Sequence, residues 1–424
     1  MSFQSLPGFR DFFPADYAAR HHIVSAWRET ARRYGFEEYD GPPLESLDLY
    51  VEKSGEEIVD QLYNFVDKGG REVALRPEMT PTLARMVGER GRALPKPIRW
   101  FSVPQLFRYE RTQRGRLREH FQWNVDIIGE DDVAADAEVL AVALDGLTAL
   151  GLAAEDIVAR VNDRRLLEGL LLHEGVVRAQ LGGAYAAIDK MSREEPEHTR
   201  QRLREDVGLD GAIIDRVMPV FEHDLDGLAG RYGDDPTVGP ELERLQRYLE
   251  TLTEMGWGEY VRFDPRIVRG LAYYTGTVFE IFDRKGELRA ICGGGRYDSL
   301  LAAVSDLEMS AVGFGMGDVV LGELLREREL LPDGAAGPDY FIVTITDDER
   351  PTLRRVARRL RDAGHSVSYT LRQVGVGKQF KDANSRGARR TVVLGPEEVG
   401  RGMAVVRTME TGDEREVPLD ELGS

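Results

Sequence analysis

From Phe121 to Ile127 the side chains alternate without a break. Phe121, Trp123, Val125 and Ile127 are apolar, while Gln122, Asn124 and Asp126 are polar. This period of two predicts a β-strand with one face in a core and the other against a polar space. The residues just before it, Phe107-Arg-Tyr-Glu-Arg-Thr-Gln-Arg-Gly-Arg-Leu-Arg118, carry five arginines against one glutamate. They read as a strand, Leu106–Glu110, running into a loop and returning along Phe121–Ile128. Arg108 and Glu110 then share one face of the outgoing strand, as Gln122, Asn124 and Asp126 do on the return. A sheet surface that gathers arginine, glutamate, amides and aspartate reads as a site. The arginine fork is the side chain best matched to phosphate oxygens.

The rest of the chain supplies the layers such a sheet needs. Helical spacing of Tyr17, Ile23, Val24, Trp27, Ala31 and Tyr34 predicts a helix over 16–34, stopped by Gly35, and a second runs over 134–150 before Gly151. Further strands are predicted at Ile98–Val103, Tyr274–Phe282 and Ala311–Phe314. The mixture indicates an α+β fold with a largely antiparallel sheet flanked by helices. Between about 166 and 249 strand signals are scarce and charged, helix-favouring sequence dominates, which predicts an inserted helical subdomain. The small, turn-rich stretch at 331–338 reads as a linker between a first domain over 1–330 and a second over 339–424. In that second domain strand, helix, strand, helix and strand follow at Tyr340–Ile345, Pro351–Ala363, Ser366–Leu371, Gly377–Arg386 and Arg390–Leu394. This predicts a small α/β domain with parallel strands.

Two glycine-rich clusters mark further places where backbone and ligand can meet. One joins Val268-Arg-Gly-Leu-Ala-Tyr-Tyr-Thr-Gly276 to Ile291-Cys-Gly-Gly-Gly-Arg-Tyr-Asp298, where consecutive strand glycines point to close approach. The other, Ala311-Val-Gly-Phe-Gly-Met-Gly-Asp318, lacks the strand–helix–strand setting of a dinucleotide fingerprint. There is no Walker lysine loop and no His-Glu-x-x-His. The single cysteine, Cys292, excludes an internal disulfide and a multi-cysteine zinc site. No run approaches the roughly 18 apolar residues of a membrane span, and the first residues lack the pattern of a secretory signal. A cytoplasmic location with no membrane partner is therefore expected. The net charge of −18 opposes a nucleic-acid partner, since phosphate contact needs cations. Locally the balance reverses, with eleven Lys or Arg against two Asp between 354 and 390.

Together these clusters resemble the three motifs of class II aminoacyl-tRNA synthetases, and their wording resembles the histidyl-tRNA synthetases. Pro42, after Tyr39-Asp-Gly, sits where motif 1 has a proline at the dimer interface. Phe107–Arg118 continuing to Gly129 is similar to motif 2, and Ala311–Leu321 to motif 3. Arg-Gly-Leu-Ala-Tyr-Tyr-Thr-Gly at 269–276 is close to a signature special to the histidine enzymes, and Leu75-Arg-Pro-Glu-Met-Thr80 is a further, separate match to the family. Gly377-Lys-Gln-Phe-Lys381 and Arg386-Gly-Ala-Arg389 are similar to the anticodon-binding domain of this subclass.

The resemblance implies activation of L-histidine with ATP to histidyl-adenylate, with Mg2+ accompanying ATP. Transfer to histidine tRNA follows, in a homodimer. It implies Arg108 and Arg269 as catalytic groups on the α-phosphate and Arg116 on the β- and γ-phosphates. Glu110 and His120 complete the ATP site, His120 standing where a phenylalanine normally stacks on adenine. Glu78, Thr80 and Gln122 hold the histidine ammonium, Asp126 and Tyr274 the imidazole, with Tyr273 beside them. Gln113 meets the tRNA acceptor end, and no resident metal is implied. Ala272 replaces the usual aspartate, Asp126 stands where glutamate is common, and Val320 occupies the place of a motif 3 arginine. These departures leave a second reading, a synthetase-like regulatory subunit that binds histidine and a partner enzyme without catalysis.

Overall fold

The computed structural model describes residues 3–54, 56–191, 194–268, 274–332, 334–372 and 374–423, which form two compact units divided between Pro332 and Asp333. In the first, nine strands make one sheet. They are β1 (Glu37–Glu38), β5 (Ile98–Ser102), β6 (Gln105–Phe107), β7 (Glu119–Ile128), β8 (Ile157–Asp163), β9 (Val261–Phe263), β10 (Thr277–Asp283), β11 (Cys292–Arg296) and β12 (Ala311–Gly317). Their order is β1-β5-β7-β12-β11-β10-β8-β9, with β6 paired to β7. Only the outer pairs β1–β5 and β8–β9 are parallel. A second small sheet, β2-β4-β3, is built from β2 (Leu44–Ser46), β3 (Asn64–Val66) and β4 (Glu72–Leu75).

The alternation along β7 divides the sheet as its sequence requires. Trp123, Val125 and Ile127 are fully buried on the covered face, where they join the main core. Trp123 stacks on Trp27 of the helix Pro14–Arg33 at 5.9 Å and meets Phe314 of β12 edge-on at 5.1 Å. Across that face lies the helix Val133–Thr148, started by the Asp132 carboxylate accepting from the Ala134 amide. It is buried nearly all round, because the sheet covers one side and the helix Gly239–Glu254 packs on the other. The strand predicted at Leu106–Glu110 is shorter than expected and ends at Phe107. Arg108 N–H still donates to Arg118 O at 2.9 Å, so the hairpin closes one residue beyond the strand.

Helices fill Arg164–Glu254 as the composition indicates. Leu167, Leu171, Leu203, Ile214 and Phe221 form a separate apolar cluster there. The last helix behaves differently: its Leu242, Leu245, Tyr248 and Leu252 are part of the main core.

The second unit holds a five-stranded sheet, β14-β13-β15-β16-β17. Its strands are β13 (Tyr340–Thr344), β14 (Val367–Tyr369), β15 (Arg390–Leu394), β16 (Met403–Thr408) and β17 (Glu414–Pro418). The predicted parallel trio β14, β13 and β15 is present, but β16 and β17 add an antiparallel hairpin beside it, so the sheet is mixed. The helix Arg350–Asp362 buries Leu353, Val356, Ala357 and Leu360 and exposes Arg354, Arg355, Arg358, Arg359 and Arg361. In Gly377-Lys-Gln-Phe-Lys381 the glutamine is structural. Gln379 is fully buried, accepts from the Thr344 amide at 3.0 Å and donates to the Thr344 and Val374 carbonyls at 2.8 Å each. Lys378 and Lys381 on either side are exposed.

Candidate active site

The open face of the large sheet carries two adjoining hollows. The smaller, about 80 Å³, is lined by Glu78, Thr80, Gln122, Asn124, Asp126, Tyr274 and Tyr297. The larger, about 770 Å³, is lined by Glu110, Arg116, His120, Arg160, Glu280, Arg289 and Val320, among others. Arg108, Gln122, Gly293 and Gly315 border both, so a ligand can lie across the two.

The glycines of β12 make room for the polar row of β7. Gly313 stands opposite Asp126 in the ladder. A Cβ there would run into the Asp126 carboxylate and come within 2.7 Å of the Val125 carbonyl oxygen. At Gly315 it would lie 2.8 Å from Gln122 Cδ. Gln122 and Asp126 can therefore lean across the neighbouring strand only where that strand has no side chain.

Asp126 forms the floor of the small hollow and accepts a hydrogen bond from the Tyr297 hydroxyl. Burial pushes its carboxyl up to about 7, against the stabilising pull of that hydroxyl. Glu78 and Thr80 reach the hollow from the start of the helix Thr80–Arg90. The turn before them is tied down by Arg76, whose buried guanidinium donates to Asp40 Oδ1 and Gly41 O at 2.7 Å each and to Gln105 O at 3.1 Å. Arg108 is aimed by donating Nε–H to Pro77 O at 3.0 Å.

In the larger hollow Arg116 pairs with Glu110 at 2.5 Å. The loop between them turns at Gly115, whose φ of 72° suits glycine. Its neighbour Arg114 pairs with Glu323 at 3.1 Å and Glu327 at 2.8 Å, docking the loop on the helix Asp318–Glu327. Gln113 is on the same loop and accepts from Arg289 at 2.6 Å. Burial pulls the His120 imidazole down to about 3, helped by the positive charges of Arg108 and Arg10, so the ring is neutral at physiological pH. Asp318 accepts from the Phe121 amide at 2.9 Å and pairs with Arg10 at 3.0 Å, while Arg10 also reaches Glu119 at 2.6 Å. Val320 is buried, joins the main core and offers the hollow only methyl groups.

The structure thus gathers Glu78, Thr80, Arg108, Glu110, Arg116, His120, Gln122, Asp126 and Tyr274 along one cleft. Gln113 is at the loop that borders it, and Arg269 and Tyr273 lie outside the described residues. Tyr297, Arg160, Arg289 and the Arg10–Asp318 pair were not foreseen. For Tyr297 a signal existed, since it follows the Gly-Gly-Gly-Arg run directly, and Asp318 closes the Ala311–Asp318 cluster. Arg160, Arg289 and Arg10 belong to segments with no motif. Among the described residues no group of carboxylates, histidines and cysteine is arranged to hold a metal ion, and no helix is long and apolar enough to cross a membrane.

Comparison with known proteins gives this cleft its context. A histidyl-tRNA synthetase family model matches residues 8–317, and an anticodon binding domain model matches 339–424. A histidine–tRNA ligase of Opitutus terrae is 43% identical over 99% of this chain and 97% of its own length. The chloroplastic/mitochondrial histidine–tRNA ligase of Arabidopsis thaliana is 40% identical over 98% of the chain and 85% of its length. The crystal structure of histidyl-tRNA synthetase from Nostoc sp. PCC 7120 shares the fold, with a TM-score of 0.86 at 23% identity over 99% of this chain and 98% of that one. By its full-length similarity and by the family model spanning most of its first unit, this chain belongs to the histidyl-tRNA synthetase family.

Proposed function

We propose that this chain is a histidine–tRNA ligase that joins L-histidine to AMP with release of pyrophosphate and then passes histidine to its tRNA. The observation that carries the reading is the paired cleft. A small hollow floored by a buried carboxylate opens past Arg108 and Gln122 into a large one lined with arginines. The histidine imidazole fits Asp126, with Tyr274 and Tyr297 on its flanks, and the ammonium fits Glu78, Thr80 and Gln122. One ring nitrogen donates and the other accepts, which a mixed carboxylate and hydroxyl lining can match. The histidine carboxylate then points toward Arg108 and the α-phosphate. It is already a nucleophile, so the protein's task is to align it and stabilise phosphoryl charge. Arg108 does this from the shared border, with Arg269 assigned to the other side of the α-phosphate. Arg116 exchanges Glu110 for the outer phosphates. His120, kept neutral by burial, presents a flat ring to adenine. Mg2+ enters with ATP, and Glu110 and Glu280 on the wall are oxygen ligands of the kind it accepts.

Gln113 on the docked loop is assigned to the tRNA acceptor end, and residues 339–424, with their exposed arginine helix, to the anticodon region. A homodimer is supported by exposed Pro42 and by exposed Leu44, Phe65 and Val66 on the small sheet nearby, since neighbouring apolar residues left in water favour a partner surface. Sedimentation at micromolar concentration tests this, and a monomer would refute it. A cytoplasmic setting completes the reading. Histidine-dependent ATP–pyrophosphate exchange is the direct test of the activity. A folded protein that binds histidine but exchanges nothing would favour the regulatory reading instead.

A further inference from the structure

The larger hollow must take a triphosphate, and its visible cations are unequally committed. Arg116 is paired with Glu110 at 2.5 Å, and Arg160 is drawn toward Asp264 at 3.6 Å while lying over the Phe282 ring. Val320, which faces this space, brings no charge. Arg108 donates to Pro77 O at 3.0 Å and is assigned to the α-phosphate. Arg289 differs from Arg116 and Arg160. It sits in the exposed loop between β10 and β11 and lines the hollow. Its Cδ is 3.8 Å from where a Cβ on Gly115 would stand, beside the Val320 methyl at 3.2 Å. That places its stem against the turn that presents Arg116. Its guanidinium donates to the neutral carboxamide of Gln113 and, among the described residues, forms no ion pair. An arginine that lines a polar hollow and is paired only to an amide keeps its full charge for a ligand. It can also exchange that hydrogen bond for a stronger, charge-assisted one.

We propose that Arg289 binds the terminal phosphates of ATP, supplying from the β10–β11 loop the positive charge that Val320 cannot. The assignment rests on the ligase reading above and adds a residue to its ATP site. Arg116 and Arg289 then close on the outer phosphates from the two sides of the Gly115 turn. In doing so Arg289 releases the Gln113 side chain.

The test compares ATP with AMP, since only ATP carries the groups Arg289 is assigned to. Wild-type exchange is measured first, because its absence would refute the ligase reading whatever Arg289 does. In the Arg289→Ala dimer, the KM for ATP in histidine-dependent exchange should rise about 10- to 100-fold, the range for a lost hydrogen bond to a charged group. The KM for histidine should hold, and calorimetric affinity should fall for ATP but not for AMP. Arg289→Lys keeps the charge and should recover part of the loss, and it serves if the alanine variant folds poorly. Unchanged ATP affinity in an active enzyme, or an equal loss for AMP, overturns the proposal.

Discussion

Replacing Asp126 by asparagine should stabilise the ligand-free protein at alkaline pH. The residue is 5% exposed, and burial holds its carboxyl up at about 7 when folded, against an ordinary value of 3.8. Below pH 4 both folded and unfolded chains hold the proton and the residue is neutral to stability. Between about 4 and 7 only the folded chain holds it, so stability falls as pH rises, and the loss is complete above the folded value. Roughly three pH units at 1.36 kcal/mol each make a penalty of about 4 kcal/mol. Asparagine cannot ionise and still accepts from Tyr297, so the variant should show almost none of this slope. Urea unfolding followed by tryptophan fluorescence reads the right unit, because Trp27, Trp100, Trp123 and Trp257 all precede Pro332. The wild-type curve should lose ground to the variant between pH 5 and 8. Parallel pH profiles would show that Asp126 is not held as a buried acid, and the burial argument would fail. The same variant should bind histidine poorly, since a carboxylate that accepts from the ring is gone.

Gly313→Ala should weaken histidine use by forcing the Asp126 carboxylate aside. A rise in the KM for histidine with the KM for ATP little changed, and a stability cost of about 1–3 kcal/mol, are expected. Unchanged histidine kinetics would mean the row on β7 does not need the missing side chain. Deleting 333–424 should leave histidine-dependent exchange in place and greatly weaken tRNA charging, since every residue assigned to the adenylate lies in the first unit. Charging at the full-length rate by the shortened chain would remove the RNA-binding role from that segment.

What could be read from the chain was local in period. Gln122, Asn124 and Asp126 sort from Trp123, Val125 and Ile127 by parity alone, and the structure keeps that sorting. The helix Arg350–Asp362 was legible because its leucines and valine recur at helical spacing against a run of arginines. Strand β17 was not legible because Glu414–Pro418 mixes charge and apolar residues without a clean face, and β16 because the apolar run Met403–Val406 is too short for its period to tell strand from helix. Arg289 and Arg10 were missed for another reason. An arginine in a loop looks like any solvated arginine until folding brings it to Gln113 or, across 308 positions, to Asp318. Tyr297 lies within the Ile291–Asp298 cluster, yet its bond to Asp126 spans 171 positions.

The helix Gly239–Glu254 gives the inserted region a second standing. By chain order it is the tail of an insertion, but by packing it is the outer wall of the helix Val133–Thr148. An architect of a minimal version of this protein could not lift out 166–249 as a cassette. The cut would fall inside this helix and uncover the side of the helix Val133–Thr148 that it packs against. The smallest self-sufficient form therefore has to splice around the cluster of Leu203 and Ile214 while keeping Leu242, Leu245 and Leu252 in place. Variation should be freest around the cluster of Leu203 and Ile214 and closely restrained at both ends of the insertion, where Leu166 and Leu170 join Leu242 and Leu245 in the main core.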